Sequence, residues 1–133
     1  LEKFPSLVER RRVNFKRLHQ SPEAVQDKLI LPVAVENSNP SWFGFLITCK
    51  EGTDRTELVK KIEAANIQTR ALFAGNLTRH PCFDQIRGTD AYRVIGDLSV
   101  TDRIMHDTFW IGVYPGMTDA MIDKMIEVIK ASL

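Results

Sequence analysis

The sequence predicts an α+β domain, a small sheet of three strands with helices packed on one face. Three observations predict it. Three short runs, Trp42–Cys49, Ile67–Phe73 and Phe109–Tyr114, are rich in aromatic and β-branched residues. The stretches around them repeat apolar residues at helical spacing. Glycine, proline and asparagine clusters punctuate the boundaries. The length of 133 residues favours one domain, and 44% hydrophobic residues can supply one core.

The elements follow in order. Residues 4–20 read as a helix with Phe4, Leu7, Val8, Arg11, Phe15 and Leu18 near one face; Pro5 is tolerated in a first turn. Ser21-Pro22 ends it or starts a short new helix. Leu29–Val35 is apolar and extended, and Pro32 keeps it out of a sheet centre. Asn37-Ser38-Asn39-Pro40 is a turn or loop. Trp42–Cys49 reads as a buried strand with little alternation. Asp54 caps the next helix, Glu57 completes a capping-box pattern, and Leu58, Ile62 and Ala65 line its apolar face. Asn66 is a left-handed stop. Ile67–Phe73 is the second strand. Residues 75–88 are loop-rich, and residues 97–106 are amphipathic and helical. Phe109–Tyr114 is the third strand, Pro115-Gly116 a turn, and Thr118 the cap of a last helix. Met121, Ile122, Met125, Ile126 and Ile129 form that helix's apolar face.

Composition narrows the partners. A formal net charge of +1 gives no general attraction to nucleic acid or an anionic membrane surface. The run Arg10-Arg11-Arg12 reads as a solvated helix face. Cys49 and Cys82 have no CxxC spacing and suggest neither a disulfide scaffold nor a zinc site. Cys49 closes an apolar run and reads as core, whereas Cys82 follows Pro81 in a loop. His19 and His106 have no partner at metal-ligand spacing. No apolar run is long enough to span a bilayer, and no signal peptide is visible; a cytoplasmic location is the simplest expectation. The opening Leu1 fits a piece of a longer polypeptide.

Several residues carry chemistry by type. Arg70 stands in a mostly apolar strand and needs an anionic partner: a substrate phosphate, a carboxylate, or a group across a domain interface. Trp42 and Phe43 serve as core or as a substrate platform. Asn76 offers a donor and an acceptor to a sugar hydroxyl, or else shapes the turn after Gly75. Arg79 and His80 lie in a loop, where binding residues concentrate but where most residues bind nothing.

Five segments in order resemble one family. They are Arg12-Val13-Asn14-Phe15-Lys16-Arg17-Leu18, Ser41-Trp42-Phe43, Asn66-Ile67-Gln68-Thr69-Arg70, Arg79-His80-Pro81 and Tyr114-Pro115-Gly116-Met117-Thr118. Together they resemble the small C-terminal domain of the DegT/DnrJ-type nucleotide-sugar aminotransferases and dehydrases, fold-type I enzymes that use pyridoxal phosphate. The resemblance makes residues 1–133 that small domain, with residues 1–20 its lead-in helix. It implies that the large cofactor-binding domain is absent from this chain, so no catalytic residue is expected here. Phe43 stands where many aminotransferases of the family have His, and Ala74-Gly75-Asn76-Leu77 replaces the usual Tyr-Pro or His-Pro. With Phe109-Trp110-Ile111-Gly112-Val113, these departures resemble the 3-dehydrase branch, which removes the carbon-3 hydroxyl of nucleotide-linked 4-keto-6-deoxyhexoses in dideoxysugar (O-antigen) synthesis.

The resemblance further implies pyridoxal or pyridoxamine 5'-phosphate in the parent enzyme, a homodimer, and substrate-binding roles for Phe43, Arg70, Phe73, Asn76, Arg79 and His80. For the branch acting on CDP-linked sugars it adds a 2Fe-2S cluster in the large domain and a separate reductase. This chain alone is expected to bind no cofactor and to be inactive. An aminotransferase parent and a non-catalytic α+β binding or dimerisation module stand as the two rival readings.

Overall fold

The computed structural model of the protein describes residues 1–20 and 23–133. The expectation for Ser21-Pro22 lies outside the described residues. Helix α1 spans Phe4–His19, and a short helix α2 (Glu23–Lys28) leads into strand β1 (Leu29–Ile30). Strand β2 (Gly44–Cys49), helix α3 (Arg55–Ala64) and strand β3 (Thr69–Ala71) follow. After two 3-10 turns come helix α4 (Ser99–Asp107), strand β4 (Thr108–Gly112) and helix α5 (Asp119–Ser132). The sheet has four strands in the order β1-β2-β4-β3, with every neighbouring pair antiparallel. The architecture is the α+β one expected, with one strand more: β1 is two residues long and sits at an edge, as the downstream Pro32 requires.

Local chemistry explains several boundaries. The Asp54 carboxylate accepts hydrogen bonds from the Thr56 and Glu57 amides and starts α3. Glu57 does not close the box; its side chain pairs with Lys60 at 2.7 Å instead. Thr118 accepts from the Met121 amide and starts α5. Asn66 adopts the left-handed conformation, with φ of 63°, and ends α3. The Ile67 amide still bonds to the Ile62 carbonyl, so the chain has not left the helix there. That is why β3 begins only at Thr69 and is shorter than the run Ile67–Phe73 suggests.

The core lies on one face of the sheet. Phe45, Ile47 and Cys49 of β2 and Phe109 and Ile111 of β4, with Val113 beyond it, are buried against Leu18, Leu58, Ile62, Ile122 and Ile129 from α1, α3 and α5. Strand β2 is therefore not uniformly buried: it alternates buried and half-buried residues. Its second face carries Gly44, Leu46 and Thr48 opposite Gly112, Trp110 and Thr108. Burial of the Cys49 thiol, and after it the nearby Asp107 charge, pushes its pKa up to about 11. Cys82 is exposed.

Three details depart from the sequence reading. Phe4 and Leu7 are exposed, so only the C-terminal half of α1 packs on the core, through Leu18 and the buried Asn14. The triple-arginine run is not simply solvated. Arg10 reaches Asp119 and the Met117 carbonyl, and Arg12 donates to the Asn39 and Pro40 carbonyls. The Arg11 Nε is buried without a partner among the described residues. Those arginines, with Arg17 on Asp119 and Asp123, fasten α1 to α5 and to the loop before β2. Finally, Met121 is 42% exposed and lies off the core stripe of α5. Among the described residues, no helix is long and apolar enough to cross a membrane.

Candidate functional site

The second face of the sheet assembles an aromatic and cationic row. Antiparallel register sets Trp110 of β4 opposite Leu46 of β2 on one side and opposite Arg70 of β3 on the other. The indole leans over Gly44: a Cβ built there would stand 2.8 Å from Trp110 Cε3. Gly44 is thus a glycine because of close approach, not because of its backbone angles. Phe43 meets the indole edge-on, with ring centroids 5.4 Å apart. The Arg70 guanidinium carbon lies 5.9 Å from the indole centroid, at cation–π range. Arg70 is exposed and makes no ion pair among the described residues. The carboxylate partner inside the fold, one of the three options the sequence allowed, is therefore absent among those residues. Phe43 is 62% exposed, so it is not a core residue. Trp42 is half-buried and packs on Phe15, with centroids 4.8 Å apart.

The loop after β3 is a second assembly, centred on Asp102 of α4. Arg79 donates through Nε and Nη2 to the two Asp102 oxygens, at 3.3 and 2.7 Å, a bidentate fork. Asn76 Nδ2 donates to Asp102 Oδ1 at 2.7 Å. The Arg79 and Asn76 hydrogen bonds hold the Asp102 carboxyl below the usual carboxylate range. Asn76 Oδ1 accepts from the Thr78 amide and hydroxyl. With only 2% exposure and both ends of its amide engaged, Asn76 does the turn chemistry of its two sequence readings. His80 Nε2 donates to the Ala74 carbonyl at 2.7 Å. Gly75, at φ of 68°, sits where a Cβ would come 2.8 Å from Met105 Cγ, so α4 presses directly on this loop. Phe73 is 75% exposed at the loop's start.

The structure therefore joins Phe43 to Arg70 through Trp110, and Asn76 to Arg79 through Asp102. Trp110 and Asp102 were not among the expected site residues. Trp110 was legible in principle, since it shares the strand with Phe109 and Ile111 but must face the other way. Asp102 had no signal: 23 residues separate it from Arg79.

Four lysines are held by partners within the chain. A Schiff-base lysine needs a lowered pKa. Lys60 is exposed and the hydrogen bond and charge of Glu57 raise its pKa. Lys61 donates to the Ser132 carbonyl, Lys50 to that of Gln26 and Lys28 to that of Leu133. The arrangement can instead offer an anionic, ring-bearing ligand a cation beside aromatic faces.

The sequence is 50% identical over 128 residues to the lipopolysaccharide biosynthesis protein RfbH of Salmonella typhimurium, covering 95% of this chain and 28% of that protein. It is 46% identical over 131 residues to dTDP-4-dehydro-2,6-dideoxy-D-glucose 3-dehydratase of Saccharopolyspora spinosa, covering 97% and 27%. Its fold matches that of E. coli GDP-4-keto-6-deoxy-D-mannose-3-dehydratase, solved with bound hydrated PLP, at a TM-score of 0.77 and 25% identity. That match covers 97% of this chain and 32% of the other. The chain thus spans less than a third of the length of these relatives. Residues 1–130 match the model of the DegT/DnrJ/EryC1/StrS aminotransferase family, and the chain belongs to that family.

Proposed function

We propose that this chain is the small C-terminal domain of a pyridoxal-phosphate-dependent 3-dehydrase. The substrate is a nucleotide-linked 4-keto-6-deoxyhexose, and the product feeds dideoxysugar and lipopolysaccharide synthesis in the cytoplasm. The observation that carries this reading is the 46% identity, across nearly the whole chain, to a relative named as a 3-dehydratase. The cofactor, when bound to the remainder of the polypeptide, supplies an electron sink for loss of the carbon-3 hydroxyl as water. The base, and in the CDP-sugar branch a 2Fe-2S cluster served by a separate reductase, lie in that remainder. The native assembly is a homodimer.

This chain's own contribution is binding and exclusion of water. Arg70 meets the anionic part of the substrate, while Phe43 and Phe73 give the sugar apolar walls. Arg79 and His80, set by Asp102 and Ala74, order the loop that closes beside it, and Asn76 pins that loop. A phenyl ring rather than an imidazole at position 43 favours dehydration over amino transfer. An imidazole at position 43 could carry a proton, whereas a phenyl ring cannot.

The test uses the full-length polypeptide with pyridoxamine phosphate and CDP-, dTDP- and GDP-linked 4-keto-6-deoxyhexoses, with and without an amino donor. The expected result is loss of the carbon-3 hydroxyl from one of them. Donor-dependent amination at carbon 4 with no dehydration would overturn the proposal in favour of an aminotransferase. Phe43→His should move products toward amination when the large-domain base is also made Lys. If this double variant aminates no better than the Lys variant alone, Phe43 serves only in packing.

A further inference from the structure

Asn14 is a fully buried amide in the interior of α1, on the stretch of that helix that also buries Leu18. Asparagine is a weaker helix former than leucine, and a buried amide is costly unless its hydrogen bonds are met. Asn14 meets only part of that demand. Its Nδ2 donates to the Tyr114 carbonyl at 2.8 Å, while Oδ1 is buried without a partner among the described residues. An apolar side chain of similar size would leave no orphan oxygen, so packing of α1 alone does not call for the amide. What the amide holds is a turn. The Tyr114 carbonyl also accepts from the Met117 amide at 3.3 Å, which closes Tyr114-Pro115-Gly116-Met117 between β4 and α5. Four residues before Asn14, Arg10 donates to the Met117 carbonyl at 3.4 Å. Neighbouring side chains on one face of α1 thus grip both ends of the turn.

The turn is tied to Phe43 through the backbone. Val113, next to Tyr114, donates its amide to the Phe43 carbonyl at 2.7 Å, one step beyond the pair of Gly44 with Gly112. Phe43 stands outside β2, and its exposed ring meets Trp110 edge-on. The segment before it is held separately, by Arg12 on the Asn39 and Pro40 carbonyls. We propose that Asn14 is a positioning residue for substrate binding: through the Tyr114 carbonyl and the Val113–Phe43 bond it sets where the Phe43 ring meets the sugar. The inference rests on the functional reading above and adds to it a residue that is too deeply buried to touch substrate itself. A shift of about 1 Å in a positioned group, caused by a change far from the chemistry, can cost roughly a hundredfold in rate. A ring carried just past the end of a ladder depends on its last cross-strand bond for that precision.

Asn14→Leu in the full-length polypeptide removes the donor and the orphan oxygen together. KM for the 4-keto-6-deoxyhexose should rise about fivefold or more, with kcat changed by less than about twofold. Phe43→Ala should raise KM by itself, and adding Asn14→Leu to it should raise KM no further, because both act through one ring. Fluorine NMR of 4-fluorophenylalanine placed at position 43 should show a displaced resonance in Asn14→Leu. The same probe at position 109, in the core, should not move. Asn14→Ala, which removes the donor without adding bulk, should give the same pattern and decides the matter where leucine does not fold. An unchanged KM, additive effects of the Asn14 and Phe43 substitutions, or equal displacement of both resonances overturns the proposal. The two readings fail separately. A displaced position-43 resonance alone, in a parent that dehydrates no 4-keto sugar, keeps the positioning and removes the reaction. Dehydration with an unchanged KM and an unmoved resonance keeps the reaction and removes the positioning.

Discussion

The two faces of this sheet are built from alternating residues of the same strands, yet they obey different rules. On the helix-covered face Phe45, Ile47, Phe109 and Ile111 are at most 2% exposed and pack in the apolar core. On the other face Gly44, Trp110 and Arg70 form a layer in which a missing Cβ, an indole and a guanidinium fit one another. The first face fixes the fold through transfer of apolar surface from water. The second is only partly buried, apart from Thr108 at its end, and its middle is shaped by close approach and charge, as a binding surface is. Substitutions on the two faces should therefore separate stability from function.

The largest expected effect lies on the covered face. Ile111→Ala removes a side chain with no exposure at the centre of the sheet. It should cost about 2–5 kcal/mol, the range for Ile truncations that leave a cavity. Urea unfolding of the full-length polypeptide measures it. A loss below 1 kcal/mol would mean that the helix layer collapses into the gap and that the covered face is less rigid than its packing implies.

Arg70→Ala should reverse the balance. The side chain is exposed and has no ion pair among the described residues, so the fold should lose little. Charge-assisted contact with the substrate is worth about 1.5–3 kcal/mol, which corresponds to a loss of roughly tenfold to a hundredfold in kcat/KM. Denaturant melts and steady-state kinetics on the same variant decide it. A large stability loss with unchanged kinetics in the folded fraction would make Arg70 structural and the comparison of faces wrong.

Gly44→Ala should affect both quantities moderately. The new methyl meets Trp110 Cε3 at 2.8 Å, and the half-buried indole must move. Overpacking of this kind costs about 1–3 kcal/mol. The displaced indole would also shift the surface shared by Phe43 and Arg70, so KM should rise with the stability loss. Trp110→Phe in the Gly44→Ala background should relieve the clash and restore part of the stability; if it does not, the indole is not the constraint.

How far the sequence discloses these faces depends on the range of each interaction. The caps at Asp54 and Thr118 and the left-handed Asn66 are local, and each is where the sequence puts it. The burial of Cys49 follows from its apolar run. The alternation of β2 was hidden because Leu46 is apolar although half-buried, and so it blurs the period of two. Arg10 and Arg12 read as solvated because their partners, Asp119 and the Asn39 and Pro40 carbonyls, lie 27 or more residues away. The pairing of Phe43, Trp110 and Arg70 depends on strand order and register, which sequence periodicity does not encode. Four of the six expected site residues thus fall into two pairs, Phe43 with Arg70 through Trp110 and Asn76 with Arg79 through Asp102, and of the two linking residues Asp102 carries no sequence signal.

The smallest global effect, and the most local one, concerns Asp102. Its carboxylate receives Arg79 and Asn76, and those hydrogen bonds hold its pKa below the ordinary carboxylate range. A depressed folded-state pKa means that the ionised clamp contributes fully above the ordinary carboxylate pKa. The contribution is lost as pH falls through the depressed value. The Arg79 side of the pair is exposed and the Asp102 side half-buried at the surface, so its loss should leave the global melting midpoint nearly unmoved. What should change is the loop from Phe73 to Pro81, which reaches α4 through this carboxylate and through Met105. Hydrogen exchange at the Thr78 and Arg79 amides should be slow at neutral pH and accelerate in acid beyond the intrinsic chemical rate. Asp102→Asn should give the fast behaviour already at neutral pH. With this variant the covered face, read at the Ile111 and Phe109 amides, should remain protected. Equal loosening at the loop and in the sheet would tie the loop to the core and remove the distinction between the two faces; unchanged protection at the loop would assign its order to the Met105 contact instead.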